Sequence, residues 1–239
     1  MKKIIFAVVC LVVTALICSS CTTIKPKKKL KPLSEKEIKL LSMMGGKVIS
    51  NEKIALGKVL INRRTKDVSF PGIVQMTEGA IEVLISTPKG RAYESLLVSD
   101  IDPYHLQLAL LLSGAENGVR IDQKKIKKKK KELIPQGDII SIFVKTKNGK
   151  TVPITKWLIN TKSSKPFKIN KWVFVGSSFN SQKKCLATKD GNIVTTWSFG
   201  NTILDNPSIS GDTDDYFNIN TDTIPKIKTP VTIILRKLK

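Results

Sequence analysis

The chain of 239 residues is 41% hydrophobic and carries 41 Lys and Arg residues against 19 Asp and Glu, which gives a formal net charge of +22. This length and apolar content suffice for one well-packed core, so a single folded domain is expected. The positive charge excludes a cationic electrostatic partner and favours an anionic one, such as lipid headgroups, a cell-wall polymer or nucleic acid.

The first segment of the chain has the pattern of an export signal. Two lysines precede the apolar run IIFAVVCLVVTALI, which has the length of a signal-peptide core and is too short to span a membrane comfortably. The run ends at CSSC, where two serines directly before Cys21 resemble a bacterial lipobox, although Cys18 stands where an aliphatic residue is usual. We predict a signal peptide over residues 1–20 and lipid attachment at Cys21. The alternative is a secretory peptide that is cleaved without lipid.

Cleavage before Cys21 leaves few cysteines in the mature chain. Only Cys21 and Cys185 remain, so an acylated Cys21 allows no intrachain disulfide. No cysteine cluster is left to hold zinc or an iron–sulfur centre, and no cofactor is expected. The predicted location is the bacterial cell envelope, on the periplasmic side or at the outer membrane.

Residues 21–33 are rich in Lys and Pro, which predicts a semi-extended tether between the lipid and a folded domain over residues 34–239. The domain begins with a helix signal, because Ser34 and Glu37 have the spacing of a capping box. Gly45 and Gly46 end this short helix.

Branched residues and turn signals then predict strands in KIALGKVLINR, DVSFPGIV and AIEVLIST, with YESLLVSD as the return strand of a hairpin. The clearest helix follows in DPYHLQLALLLSG. Asp102 suits its N-cap, Pro103 its first position and Gly114 its left-handed exit. Its many leucines predict a helix that is buried on most sides, against a sheet.

Seven lysines crowd the next segment, and their mutual repulsion predicts an exposed loop over about residues 122–133. They are Lys124, Lys125, Lys127, Lys128, Lys129, Lys130 and Lys131. Beyond the loop, strand patterns with turns at Asn148 and Gly149 and at Asp190 and Gly191 continue to the C-terminus. The predicted fold class is α+β and β-dominated: an antiparallel sheet or sandwich with one buried helix and one or two peripheral helices.

Several stretches, taken in order, resemble the YdjY-type domain of exported bacterial proteins. They are GKVLINRRTKDVSFPGIVQMTEGAIEVLIST, YESLLVSDIDPYHLQLALLLSG, IPQGDIISIFVKTKNGKTVPITKWLIN, KWVFVGSSF, ATKDGNIVTTWSFGNTILDNP and TPVTIILR. The resemblance covers about residues 45–236 and implies no established biochemical activity. A redox role attached to some relatives does not carry over, because cysteine ligands are missing. Many similar sequences also have His in place of Tyr93, where a phenol is a poor substitute for imidazole at neutral pH.

The single histidine lies close in sequence to polar residues that could form a hydrolase triad. The set comprises Ser95, Ser99, Asp100, Asp102 and His105. Sequence proximity does not provide hydrogen-bond contact, and no G-x-S-x-G elbow is present. We therefore predict no catalytic residue. Glu94 and Ser95 have no local structural explanation, so Glu94, Ser95 and His105 are kept as weak candidates.

One acidic stretch, GDTDDYFNINTD, offers oxygen ligands of the kind that suit Ca²⁺. Asp212, Asp214 and Asp215 lack the spacing of a calcium loop, so no metal site is predicted and these three residues are only weak candidates. The alternative is a solvated acidic turn.

Together these patterns predict a lipid-anchored envelope protein whose YdjY-like domain is a non-enzymatic binding or accessory module with an unknown protein partner. The alternative is an enzyme or redox accessory protein with a site near Glu94, Ser95 and His105. The lysine run is expected to contact an anionic envelope surface or to be a solvated loop. Nucleic acid is not expected as a partner, because the run lacks interleaved aromatic residues and the protein is predicted to be exported.

Overall fold

A computed structural model describes five ranges of the chain: residues 30–120, 136–147, 149–197, 201–207 and 216–238. The predicted signal peptide, the lipid-attachment site Cys21, most of the tether and the lysine-rich loop lie outside these described residues. Asp212, Asp214 and Asp215, the weak metal candidates, lie outside them as well. From Pro32 onward the described residues share one hydrophobic core.

The described helices are short. They are α1 (Glu35–Met43), α2 (Pro103–Leu112) and α3 (Leu186–Asp190), with 3₁₀ helices at Ala92–Glu94 and Ile154–Trp157. Both predicted helix starts are confirmed. The Glu37 N–H donates to Ser34 Oγ at 3.3 Å while Glu37 Oε2 accepts from the Ser34 N–H at 2.8 Å, and the Tyr104 N–H donates to the Asp102 side chain at 2.9 Å. Local side-chain hydrogen bonds therefore start both helices.

Fifteen strands account for most of the regular structure in the described ranges. They are β1 (Gly46–Ser50), β2 (Lys53–Leu56), β3 (Val59–Asn62), β4 (Val68–Val74), β5 (Val83–Ser86), β6 (Ser95–Val98), β7 (Ile139–Thr146), β8 (Val152–Pro153), β9 (Leu158–Asn160), β10 (Lys165–Pro166), β11 (Trp172–Phe174), β12 (Asn192–Thr195), β13 (Leu204–Asp205), β14 (Phe217–Ile219) and β15 (Pro230–Lys237).

Eight of these strands close into a barrel in the order β4-β15-β7-β11-β13-β12-β5-β6, because β6 pairs back onto β4. The register at the closure sets Ile73 opposite Val98 and Val74 opposite Leu97. The predicted antiparallel sheet or sandwich is therefore wrong, because the sheet closes on itself. The alternation of apolar residues identifies strands, but it does not show whether the first and last strands of a sheet meet.

Two neighbouring pairs in the barrel are parallel, namely β5 with β6 and β12 with β13. The predicted hairpin between β5 and β6 is thus also wrong. Residues 87–94 connect them and contain the 3₁₀ helix Ala92–Glu94, and β6 starts in the same direction as β5. The Gly191 turn is likewise not a hairpin turn, because Gly191 ends α3 in the left-handed conformation with φ 76°.

The hydrophobic core comprises the interior of the barrel and the apolar side chains of helix α2 that pack against the strands. In β4 and β15 buried and exposed positions alternate, as expected for strands with one solvent face, whereas β5, β6 and β12 are buried at every position. Helix α2 packs against β2, β3, β4 and α3. It buries Leu106, Ala109 and Leu110, but Leu111 and Leu112 are exposed, so this helix is less enclosed than its sequence predicts.

Three strands form a second, smaller antiparallel sheet in the order β10-β9-β14. Asn160 of β9 lies opposite both Lys165 of β10 and Phe217 of β14. This register brings residues from distant parts of the sequence to one place. Within the described ranges, no helix combines the length and the apolar character needed to cross a bilayer.

Candidate binding cleft

The first sequence candidates, Glu94 and Ser95, lie where the 3₁₀ helix leads into β6. Ser95 is fully buried, its Oγ donates to the Arg91 carbonyl at 2.6 Å, and the Ser86 Oγ lies 2.9 Å away. Arg91 Nη1 also lies 2.6 Å from Glu82 Oε2 and 2.8 Å from Glu94 Oε1. These contacts explain the pair that local sequence left unexplained: Ser95 and Glu94 fix the connection between the parallel strands β5 and β6.

His105 lies beyond the other end of β6, on the first turn of α2. Strand β6 lies between Ser95 and His105 in the chain, and its four residues alone span roughly 10 Å. The half-buried imidazole packs beside Gly57 in the turn between β2 and β3, where an added Cβ would lie 2.8 Å from His105 Nδ1. Among the described residues, no hydrogen bond or ion pair joins His105 to Glu94 or Ser95.

The other triad candidates are held by contacts of their own. The Ser99 Oγ donates to the Pro71 carbonyl at 2.5 Å, and Asp102 accepts from Thr188 Oγ1 at 2.6 Å besides capping α2. A hydrogen bond from Lys58 holds the pKa of Asp100 below its usual range. The structure therefore does not bring the sequence-predicted site residues together.

A different feature gathers chemistry-bearing side chains. A cleft of about 570 Å³ lies where the three-stranded sheet meets the barrel strand β11 and the residues that follow β13. This volume falls in the range of small-molecule sites, which is about 300–1,000 Å³. Asn160 and Lys165 of the lining come from the small sheet, whereas Trp172 and Asn206 come from the barrel side.

Four aromatic side chains form the apolar floor of the cleft. The Phe167 ring stacks on Phe217 with centroids 4.4 Å apart and an interplanar angle of 15°. Tyr216 meets both rings edge-on, at 5.5 Å and 4.9 Å, and Trp172 lies 6.3 Å from Phe217. Such contacts are favourable beyond the burial of area alone, so the four rings stabilise one another's positions.

Three exposed lysines surround this floor: Lys165 on β10, and Lys168 and Lys171 in the segment that leads into β11. None of them makes an ion pair with a described residue. No Asp or Glu of the described ranges lines the cleft. The described part of the site is therefore cationic at its rim and apolar inside.

A buried carboxylate braces one wall of the cleft. Asp205 has no exposed surface, and its Oδ2 accepts from Arg120 Nε at 3.2 Å while its Oδ1 accepts from Thr195 Oγ1 at 3.2 Å. The Thr202 hydroxyl also donates to Asp205. The next residue, Asn206, lines the cleft and donates from Nδ2 to the Thr196 carbonyl at 2.5 Å. Asp205 thus ties the end of β13 to β12 directly beside the site.

Comparison with known protein families identifies the domain. The family model of the YdjY domain matches residues 59–236, which is more than half of the chain. The chain belongs to the YdjY-domain family. No curated protein and no solved structure matches it. The resemblance inferred from the ordered stretches is therefore confirmed.

The YdjY match contains every strand from β3 to β14 and reaches into β15, so the barrel and the cleft lie within it. Helix α1 and strands β1 and β2 precede it. In this YdjY domain the cleft is the feature that sequence reasoning missed. A signal was present in KPFKINKW, residues 165–172, where lysines and aromatic residues interleave in the way that the longer lysine run lacks.

Proposed function

We propose that this protein is a lipid-anchored component of the bacterial cell envelope whose YdjY domain is a non-enzymatic binding module. Its ligand site is the cleft between the small sheet and the barrel. The observation that carries the proposal is the combination of an aromatic floor with three exposed lysines among the described lining residues, in a volume that suits a small molecule.

The alternative of an enzyme or redox accessory protein gains no support from the geometry. It needs Glu94, Ser95 and His105 to converge on one solvent-reachable point, because a nucleophile and its base act within hydrogen-bond reach. Ser95 is instead fully buried against the connection between β5 and β6, and Glu94 faces Arg91. No second function is proposed for this region.

Ligand capture tests the binding module. The mature chain carrying Cys21→Ser is incubated with a small-molecule extract of bacterial envelopes, and bound compounds are measured as mass adducts by native mass spectrometry. Ile169 lines the cleft and is 67% exposed, so Ile169→Trp should obstruct the cleft without disturbing the core. We expect an adduct on the parent chain and at least a tenfold smaller adduct on the Trp variant.

The matched control is Ile227→Trp, since Ile227 is also exposed and lies outside the cleft lining. This variant should retain the adduct in full. A parent chain that captures nothing, or an adduct of equal size on all three proteins, would show that the cleft is not a ligand site.

The anchor has its own test. In cells that produce the full-length protein, Cys21→Ser should move most of the mature protein from the membrane fraction to the soluble fraction, because the acyl chains supply most of the membrane affinity. Fractionation and immunoblotting measure the change. Continued anchoring of the Ser variant would contradict lipid attachment.

The lysine run is tested on the Ser variant by its binding to anionic vesicles. If this binding is lost when lysines 127–131 become Gln, the run makes a second contact with an anionic surface.

A further inference from the structure

We infer that the cleft binds a small organic anion, in which a carboxylate or phosphate group is attached to a compact apolar body. This inference rests on the proposed function and specifies the chemical class of its ligand. Three properties of the described residues carry it: an apolar interior, three lysines that pair with no described carboxylate, and aromatic rings that pack against one another.

The interior of the cleft favours an apolar body. Trp172 and Phe217 are buried, while Phe167 and Tyr216 keep part of their surface exposed beside them. A ligand that covers this remaining surface releases water from it, which favours binding roughly in proportion to the area covered. A fully polar ligand would gain nothing from this part of the site.

The rim favours a negative charge. Lys165, Lys168 and Lys171 all line the cleft, and described carboxylates neither line it nor pair with these lysines. An anionic group at the opening is attracted by all three at once, whereas a cationic ligand is repelled by all three. Their exposure makes each contribution modest, so the anion is selected by the sum of three weak interactions.

The ring geometry separates this ligand class from nucleic acid. Single strands bind through bases that stack on free aromatic faces. Here Phe167 already stacks on Phe217 at 4.4 Å, and Tyr216 meets both rings edge-on. These rings therefore form one cluster, which offers a single compact apolar surface to the ligand and not a series of separate platforms for successive bases.

Three probes of equal ring size test the inference: 2-naphthoate, 2-naphthalenemethanol and 2-naphthylmethylammonium, which differ mainly in charge. Their affinities for the mature Cys21→Ser chain are measured by calorimetry at constant ionic strength. Backbone amide shifts locate the binding, with the largest changes expected at Phe167, Ile169 and Phe217. We expect 2-naphthoate to bind about tenfold more tightly than the alcohol, and the ammonium compound to bind least.

Charge variants then assign the selectivity to the rim. Changing Lys165, Lys168 and Lys171 together to Gln should weaken 2-naphthoate about tenfold and leave the alcohol unchanged. The control variant changes three exposed lysines outside the cleft lining to Gln, namely Lys145, Lys147 and Lys226. It removes the same charge and should change the affinity less than about twofold, because solvent and salt screen exposed charges that do not line the cleft.

The results distinguish this inference from the proposed function. Equal affinities of the three probes, or equal losses in both Gln variants, would overturn the assignment of an anionic ligand. A neutral or cationic adduct in the ligand-capture experiment, blocked by Ile169→Trp, would also overturn it and leave the binding module standing. If 2-naphthoate binds but the amide shifts fall on residues away from the cleft, the proposed location of the ligand site is wrong.

Discussion

Replacing Asp205 by Asn is expected to lower the free energy of unfolding by about 3 kcal/mol, because it leaves the Arg120 guanidinium without its buried counter-charge. The Asp205 side chain is fully buried and that of Arg120 is 20% exposed, so the pair is shielded from water on the carboxylate side. The same substitution weakens the hydrogen bonds from Thr195 and Thr202 that tie β13 to its surroundings. Urea unfolding followed by circular dichroism measures the loss.

The control for this prediction is a second Asp–Arg pair at the surface. Asp67 accepts two hydrogen bonds of 2.8 Å from Arg236, whose side chain is 52% exposed. Asp67 itself is 16% exposed. Asp67→Asn should cost about 1 kcal/mol, because water solvates the half-exposed Arg236 guanidinium after its partner is lost. Losses of equal size at both positions would show that the burial of Asp205 does not set its contribution to stability.

The Asp205 variant should also bind 2-naphthoate more weakly, because the next residue, Asn206, lines the cleft.

Replacing Gly191 by Ala is expected to cost about 3 kcal/mol of unfolding free energy, from two separate causes. Gly191 has φ 76°, a conformation that costs an L-residue about 1–2 kcal/mol. A Cβ there would also lie 2.4 Å from the Gly90 backbone nitrogen, and relieving such an overlap costs about 1–3 kcal/mol. The overlapping atoms belong to the main chain, which cannot rotate away as a side chain can. The Thr87 N–H also donates to the Gly191 carbonyl at 2.7 Å, and this hydrogen bond holds the two segments together.

Gly114→Ala separates the two causes. Gly114 has φ 91°, but nothing lies within 4 Å of its ideal Cβ position, so only the backbone conformation is penalised there. We expect a loss of about 1 kcal/mol, measured in the same urea titrations. If the two alanine variants lose equal stability, the close approach of Gly191 to Gly90 is not what requires a glycine.

The functional candidates show how sequence neighbours can mislead. Ser99, Asp102 and His105 looked like parts of a triad because they surround a helix start, and helix starts use Asp and Ser for their own hydrogen bonds. In the structure Asp102 caps α2 and Ser99 donates to Pro71. Glu94 and Ser95 looked unexplained because the sequence predicted a hairpin there, whereas Arg91, three and four residues before them, lies in a connection between parallel strands.

The amino-acid sequence by itself determined the features that depend on a few neighbouring residues. The capping box at Ser34, the start of α2 at Asp102 and Pro103, and the identity of most strands follow from local hydrogen bonds and side-chain alternation. The ordered stretches also sufficed to identify the YdjY domain. Tertiary structure alone decided the closure between β4 and β6, because pairing of the end strands depends on the twist and stagger of all eight strands together. It also decided the cleft, since residues 155–172 meet residues 206, 207, 216 and 217 only when β9 and β14 pair across more than fifty residues of chain.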